Sequence, residues 1–170
     1  MVITNEAVER LVSTLNLNHW LIEKHLEGLS HEQTMIQAPY NINRMNWVLG
    51  HIAEHRDWML RYLGEETLMS DDEVQMYRRG SESLQDDSEA IQVETLLGYL
   101  RQAKDNIIAI LENAEEEFLA EVPQTAICLE NHRTQTRLQR VQGLVWHETY
   151  HIGQVDLLRQ VAGMNDAILQ

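Results

Sequence analysis

Four long stretches of this chain repeat their apolar residues at steps of three and four, a spacing that only helices can turn into one buried edge. The first stripe is Val8, Leu11, Val12, Leu15, Ile22, Leu26 and Leu29, and predicts a helix from about Asn5 to Leu29. The second is Val48, His51, Ile52, His55, Met59 and Tyr62; Asn46 suits its N-cap and Gly64 its C-terminal stop. The third, Leu96, Leu100, Ala103, Ile107, Leu111, Ala114 and Phe118, predicts a helix from Ser88 to Phe118, broken before Pro123. The fourth is Val141, Leu144, His147, His151, Val155, Leu158 and Ala162, from Thr136 to Ala162 and ending at Gly163. With 2 prolines and 8 glycines in 170 residues, a turn-rich β protein is excluded. The prediction is an all-α chain, one four-helix bundle over residues 1–170, since this length supports a single core.

Of the connections, Ser30 to Arg44 contains Pro39 and Tyr40-Asn41-Ile42-Asn43 and reads as a loop. Gln124 to Gln135 reads as another, with a short extended pair around Ala126-Ile127-Cys128. The one from Gly64 to Gln92 is too long for a simple turn. A 20-residue helix spans roughly 30 Å, and this connection can run back along that length. It predicts a crossover that sets the second and third helices parallel, which a short loop forbids. Nine acidic side chains against Arg78 and Arg79 give it half of the chain's net charge of −14.

That charge argues against nucleic-acid binding, which needs a basic face, and against docking on an anionic membrane. The N-terminus MVITNEAVER lacks a basic and an apolar leader region, and the longest aliphatic run is Ile107 to Leu111. A cytoplasmic location is expected. A single cysteine, Cys128, can form no internal disulfide and cannot close a cysteine-based zinc site. Nothing near it in sequence lowers its pKa, so it reads as a small buried hydrophobe rather than a nucleophile.

Chemistry enters where histidines interrupt the apolar stripes. His147 and His151, at i and i+4, are neighbours on one helix face, and His51 lies on the inner stripe of another helix. Three imidazoles at one interior point leave too many nitrogens without partners. A divalent metal resolves this by accepting a lone pair from each, and three ligands leave a position open for water or substrate. His147-Glu148-Thr149-Tyr150-His151 also matches the His-Glu-x-x-His pattern of zinc proteases, in which Glu148 is the general base. Against that reading, no His or Glu follows His151 to serve as third ligand, and no sheet offers an edge for a peptide.

Asn46-Trp47-Val48-Leu49-Gly50-His51-Ile52-Ala53 resembles the second-helix signature of the DinB/YfiT-like proteins. His147-Glu148-Thr149-Tyr150-His151-Ile152-Gly153-Gln154 resembles their fourth-helix signature, at the family's separation. The resemblance covers essentially the whole chain. It implies a four-helix bundle with an unusual connection order and one divalent ion, zinc, nickel or iron, held by His51, His147 and His151. It also implies a homodimer. Some relatives are transferases or isomerases that use low-molecular-weight thiols such as bacillithiol or mycothiol on a small-molecule substrate. The family name refers to DNA-damage induction rather than DNA binding. Metal binding deprotonates a coordinated thiol, so the implied activity is transfer to, or hydrolysis of, a small electrophile. The alternative is a non-catalytic bundle stapled by its metal and acting as a binding or stress-response protein.

The remaining candidates have competing readings. His55, one turn after His51, is either a ligand, a base beside the metal or a loop-facing side chain. His19 either approaches the site or is a hydrogen-bonded core residue. Glu148 either orients a ligand, relays a proton or faces solvent. Gln154 is placed for a contact with His151, and Arg159 for an anionic substrate group or one of the surplus acids. Trp47, Trp58, Trp146 and Tyr150 line a pocket or pack in the bundle or at a dimer face. His25, His31 and His132 fall off the stripes or in loops and are expected to be solvated.

Overall fold

Apolar side chains from all four stripes meet in two clusters, and their membership fixes the helix directions in the computed structural model of the chain. The structure describes residues 5–81, 84, 89–123, 132–166 and 168. Its long helices are α1 (Asn5–Leu26), α3 (Met45–Leu63), α5 (Val93–Asn113) and α7 (Arg137–Val161). Short helices α2 (His31–Thr34), α4 (Asp71–Tyr77) and α6 (Glu116–Ala120) lie in the connections. One cluster joins Ile22 and Leu26 to Val48 and Ile52, to Leu96 and Leu100, and to Ile152 and Val155. The other joins Leu11 and Leu15 to Met59 and Leu63, to Ile107 and Leu111, and to Val141 and Leu144. The beginnings of α3 and α5 therefore share one end with the close of α1 and α7. Helices α3 and α5 are parallel, α1 and α7 run the other way, and α1 and α3 each pack on both α5 and α7. This is the predicted all-α bundle with a long crossover between its second and third long helices. No strand occurs among the described residues, and no helix among them is long and apolar enough to cross a membrane.

The ends of the helices follow their local chemistry. Helix α1 stops at Leu26, earlier than its stripe, because Gly28 adopts φ 80°. The loop expected after it contains α2, which Ser30 and Gln33 cap reciprocally. Asn46 is not a cap: α3 begins one residue earlier, and the buried Asn46 amide donates to Ile91 O at 2.8 Å and accepts from Tyr77 Oη at 2.8 Å. Gly64 ends α3 as expected, with φ 88°. Helix α5 is shorter than predicted at both ends. It closes at Asn113, where an extended Ala114 separates it from α6. Thr136 caps α7 in a box with Gln139. The extended pair expected around Ala126-Ile127-Cys128 lies outside the described residues.

The crossover is tied down along its path. Asp57, buried on α3, accepts from Leu68 N at 3.0 Å and Met69 N at 2.9 Å. Ser70 and Glu73 cap α4 reciprocally, and Tyr77 closes it in full burial. Gly50 has a packing reason: a Cβ there would overlap the Tyr77 ring. Gly50→Ala is expected to destabilise the fold by about 1–3 kcal/mol, as forced overpacking does, with a lower urea midpoint at unchanged m-value.

Candidate metal centre

Helix α3 buries polar residues on more than one side: the crossover covers Asp57, and Arg56 points into the bundle. His51, Glu54, His55, Arg56 and Asp57 are all buried. His51 Nδ1 donates to Tyr77 O at 2.8 Å, and the His51 ring stacks on Trp47 at 4.8 Å between centroids. Trp47 in turn donates to Ser81 Oγ at 2.9 Å. The Nδ1 proton of His51 is thereby committed, and Nε2 keeps its lone pair.

Opposite it, α7 places His147 and His151 one turn apart. Gln154 Oε1 accepts from His151 Nδ1 at 2.6 Å, so here too the free lone pair is on Nε2. The contact expected of Gln154 is present. The Nε2 atoms of His151 and His147 face each other at 3.1 Å. Two nitrogens bound at 2.0–2.1 Å to one tetrahedral ion lie about 3.3 Å apart, so this pair has the spacing of shared ligands. His51, His147 and His151 each bring a ligand atom, all within 4.8 Å of one another, a group that could hold a metal ion. His147 Nδ1 is buried without a hydrogen-bond partner.

All three rings are held neutral at pH 7, as imidazole ligands must be. Burial, then the nearby His55, lowers His51 to about 3. Burial, His55 and His151 lower His147 to about 4, and burial lowers His151.

His55 completes a cluster of four imidazoles. Its ring stacks on His147 at 4.3 Å and meets the edge of His51 at 4.2 Å. Its Nδ1 faces His51 O at 3.0 Å, an acceptor that places the proton there and leaves Nε2 its lone pair; Glu54 Oε2 is 2.7 Å away but makes no hydrogen bond. Glu54 Oε1 accepts from Trp58 Nε1 at 2.7 Å. His51, Glu54 and His55 form a second group of metal-ligand type. The facing Nε2 atoms of His147 and His151 make the first group the better fit for an ion. Glu54 and the Tyr77 carbonyl were not singled out in the sequence. Glu54 has a signal at three residues after His51, and the carbonyl has none.

Glu148 is neither solvent-facing nor beside the histidine nitrogens as a proton relay. It is fully buried, and its two oxygens accept from Arg56 Nε at 2.9 Å and Nη2 at 2.7 Å. Arg56 Nη1 also donates to Leu100 O and faces His19 Nδ1 at 3.3 Å. His19 therefore belongs to this buried network rather than to the metal group. Arg159 serves the surplus acids, holding both oxygens of Asp166 at 3.0 Å and donating to His25 O and Glu27 O. His25 and His31 are buried, not solvated, and His132 is half-buried with Nδ1 3.1 Å from Tyr62 Oη. Of the aromatic residues, Trp47 and Trp58 brace the cluster. Trp146 and Tyr150 are 71% and 60% exposed, although the Tyr150 ring reaches the edge of His151 at 5.4 Å. Cys128 lies outside the described residues.

Burial, then the Arg56 charge, lowers His19 to about 4. The unfolded chain therefore binds this proton between pH 6.5 and 4 while the native state does not. The His19 contribution is complete above pH 6.5 and falls away with acidification. Against a His19→Gln variant, the wild type is expected to lose up to about 1.4 kcal/mol more per pH unit across that window, measured by urea titration.

A crossover four-helix bundle with an inward-facing histidine cluster between α3 and α7 defines the class of protein: a helical bundle whose histidines could hold a metal ion. The DinB superfamily profile matches residues 15–155, and the chain belongs to that superfamily. The fold is similar to the crystal structure described as the conserved protein of locus from Enterococcus faecalis. The TM-score is 0.66 at 18% identity, over 97% of this chain and 99% of that one. No curated protein matches the sequence.

Proposed function

We propose that this protein is a metal-dependent enzyme that uses a low-molecular-weight thiol or water to attack a small electrophilic substrate. The observation that carries the reading is the facing Nε2 pair of His147 and His151, with the proton of His151 directed to Gln154 and that of His51 to Tyr77 O. His51, His147 and His151 would hold a divalent cation, which would supply Lewis acidity and lower the pKa of a bound thiol or water. His55 would accept the released proton on Nε2, its Nδ1 being directed to His51 O. Trp47 and Trp58 keep His51 and Glu54 in place. Glu148 takes no part in proton transfer in this reading.

Zinc, nickel and iron all suit three imidazoles. Elemental analysis of untagged protein is expected to give close to one divalent ion per chain, and none in His147→Ala/His151→Ala. Absence of metal in the wild type, with no uptake on titration, would overturn the reading. Activity is sought with bacillithiol, mycothiol, glutathione and coenzyme A against a panel of electrophiles, with His51→Ala as control.

Two apolar clusters join all four long helices, which favours a catalytic ion over a structural staple. Chelation is therefore expected to lower the melting temperature only slightly, whereas a stapled bundle would lose most of its stability. The reading includes a cytoplasmic homodimer. The exposed apolar side chains Trp146, Tyr150 and Leu157 along the outer face of α7 support association, which sedimentation equilibrium measures.

A further inference from the structure

The buried Arg56–Glu148 pair lies one residue beyond His55 on α3 and one residue beyond His147 on α7. Both side chains are fully buried. The guanidinium touches every long helix: its own α3, Glu148 of α7, Leu100 O of α5 and His19 of α1. The apolar contacts around it are non-directional and tolerate sliding. His147 and His151 are one turn apart on α7. A slip of one turn against α3 would put one of them where the other belongs and leave the third nitrogen unmatched. A two-pronged guanidinium–carboxylate contact does not tolerate such a slip, because both N–H groups lose their oxygens together. Buried ion pairs add little net stability compared with apolar side chains of similar volume, and their best-attested use is to specify register.

We infer that Arg56 and Glu148 are positioning residues that lock the axial register of α3 against α7, so that His51 meets His147 and His151 at one point. The inference rests on the metal reading above. It gives Glu148 of the His-Glu-x-x-His sequence a role other than that of a base.

The test replaces the pair by apolar residues of similar length, Arg56→Met/Glu148→Met, and titrates wild type and variant with cobalt(II), recording the visible spectrum and the melting temperature. The expected result is a melting temperature at or above that of the wild type, with cobalt affinity reduced about 10–100-fold, as for other residues that orient ligands. The ligand-field bands are expected to broaden or shift. A purely structural pair would change the first readout and not the second. Wild-type affinity and spectrum in the double variant would overturn the inference. Failure of the wild type itself to bind cobalt would overturn both the metal reading and the inference resting on it. If the double variant does not fold, Arg56→Lys decides, because it keeps the charge and loses the fork. Weaker cobalt binding with a changed spectrum supports the register role, and an unchanged titration ends it.

Discussion

Replacing Arg56 alone by alanine is expected to remove about 3–5 kcal/mol of stability, the range for breaking one side of a buried ion pair. The loss comes from the partner left behind more than from the contact removed. Glu148 is fully buried, and both of its oxygens accept from Arg56. Without the guanidinium the carboxyl group is left buried and without that partner. Leu100 O loses its donor as well. Against a typical total of about 5–15 kcal/mol, such a loss leaves the variant marginal near 37 °C. A urea titration monitored by tryptophan fluorescence measures it. The exposed pair Arg10–Glu6, 78% and 66% exposed, provides the contrast, and Arg10→Ala is expected to leave the midpoint unchanged. A comparably small effect for Arg56→Ala would mean that water reaches Glu148 and that the interior between α3 and α7 is wet.

The same residues mark where the sequence was legible and where it was not. The four stripes are visible because apolar spacing reports which edge of a helix meets the core. Val48, Ile52, Leu96, Leu100, Val155 and Leu158 are buried as their spacing predicts. The crossover is visible because the length of the Gly64–Gln92 connection is a geometric constraint that needs no side chains. The helix α4 inside it is not, because a seven-residue helix owes its stability to capping by Ser70 and Glu73 and to Tyr77 packed over Gly50. Stripe logic also assigns one outer, polar face to every helix. That fails for α3, where the crossover covers Asp57 and where Arg56 turns into the bundle to meet Glu148, and it is why the burial of Glu54, Arg56 and Asp57 was missed. The convergence of His51 with His147 and His151 could be read from periodicity and from the DinB signatures together. The exclusion of Glu148 could not, because the sequence pattern does not say that its partner is Arg56, ninety-two positions earlier.

The second large effect is expected from comparing His51→Ala with His55→Gln in the thiol-transfer assay. Both residues sit on the same inner edge of α3, and their rings meet at 4.2 Å, so a general disturbance of packing would affect them alike. The proposed roles differ. His51→Ala removes one of three nitrogens, so the protein should bind its ion weakly. A Lewis acid is worth several kcal/mol of transition-state stabilisation, so activity should fall by about a thousandfold or more. His55→Gln leaves the three nitrogens in place, with His51 still on Tyr77 O and His151 still on Gln154, so metal content should stay close to one per chain. Activity should nevertheless fall about 10²–10⁴-fold, the range for a lost general base, and part of it should return at higher pH, where the thiol ionises unaided. Loss of metal in His55→Gln would make His55 a ligand and move the proton-accepting role elsewhere. Full activity in His51→Ala with metal still bound would show that His55 and Glu54 hold the ion instead. The comparison thus reads out which of the two groups of ligand-type side chains on α3 carries the cation.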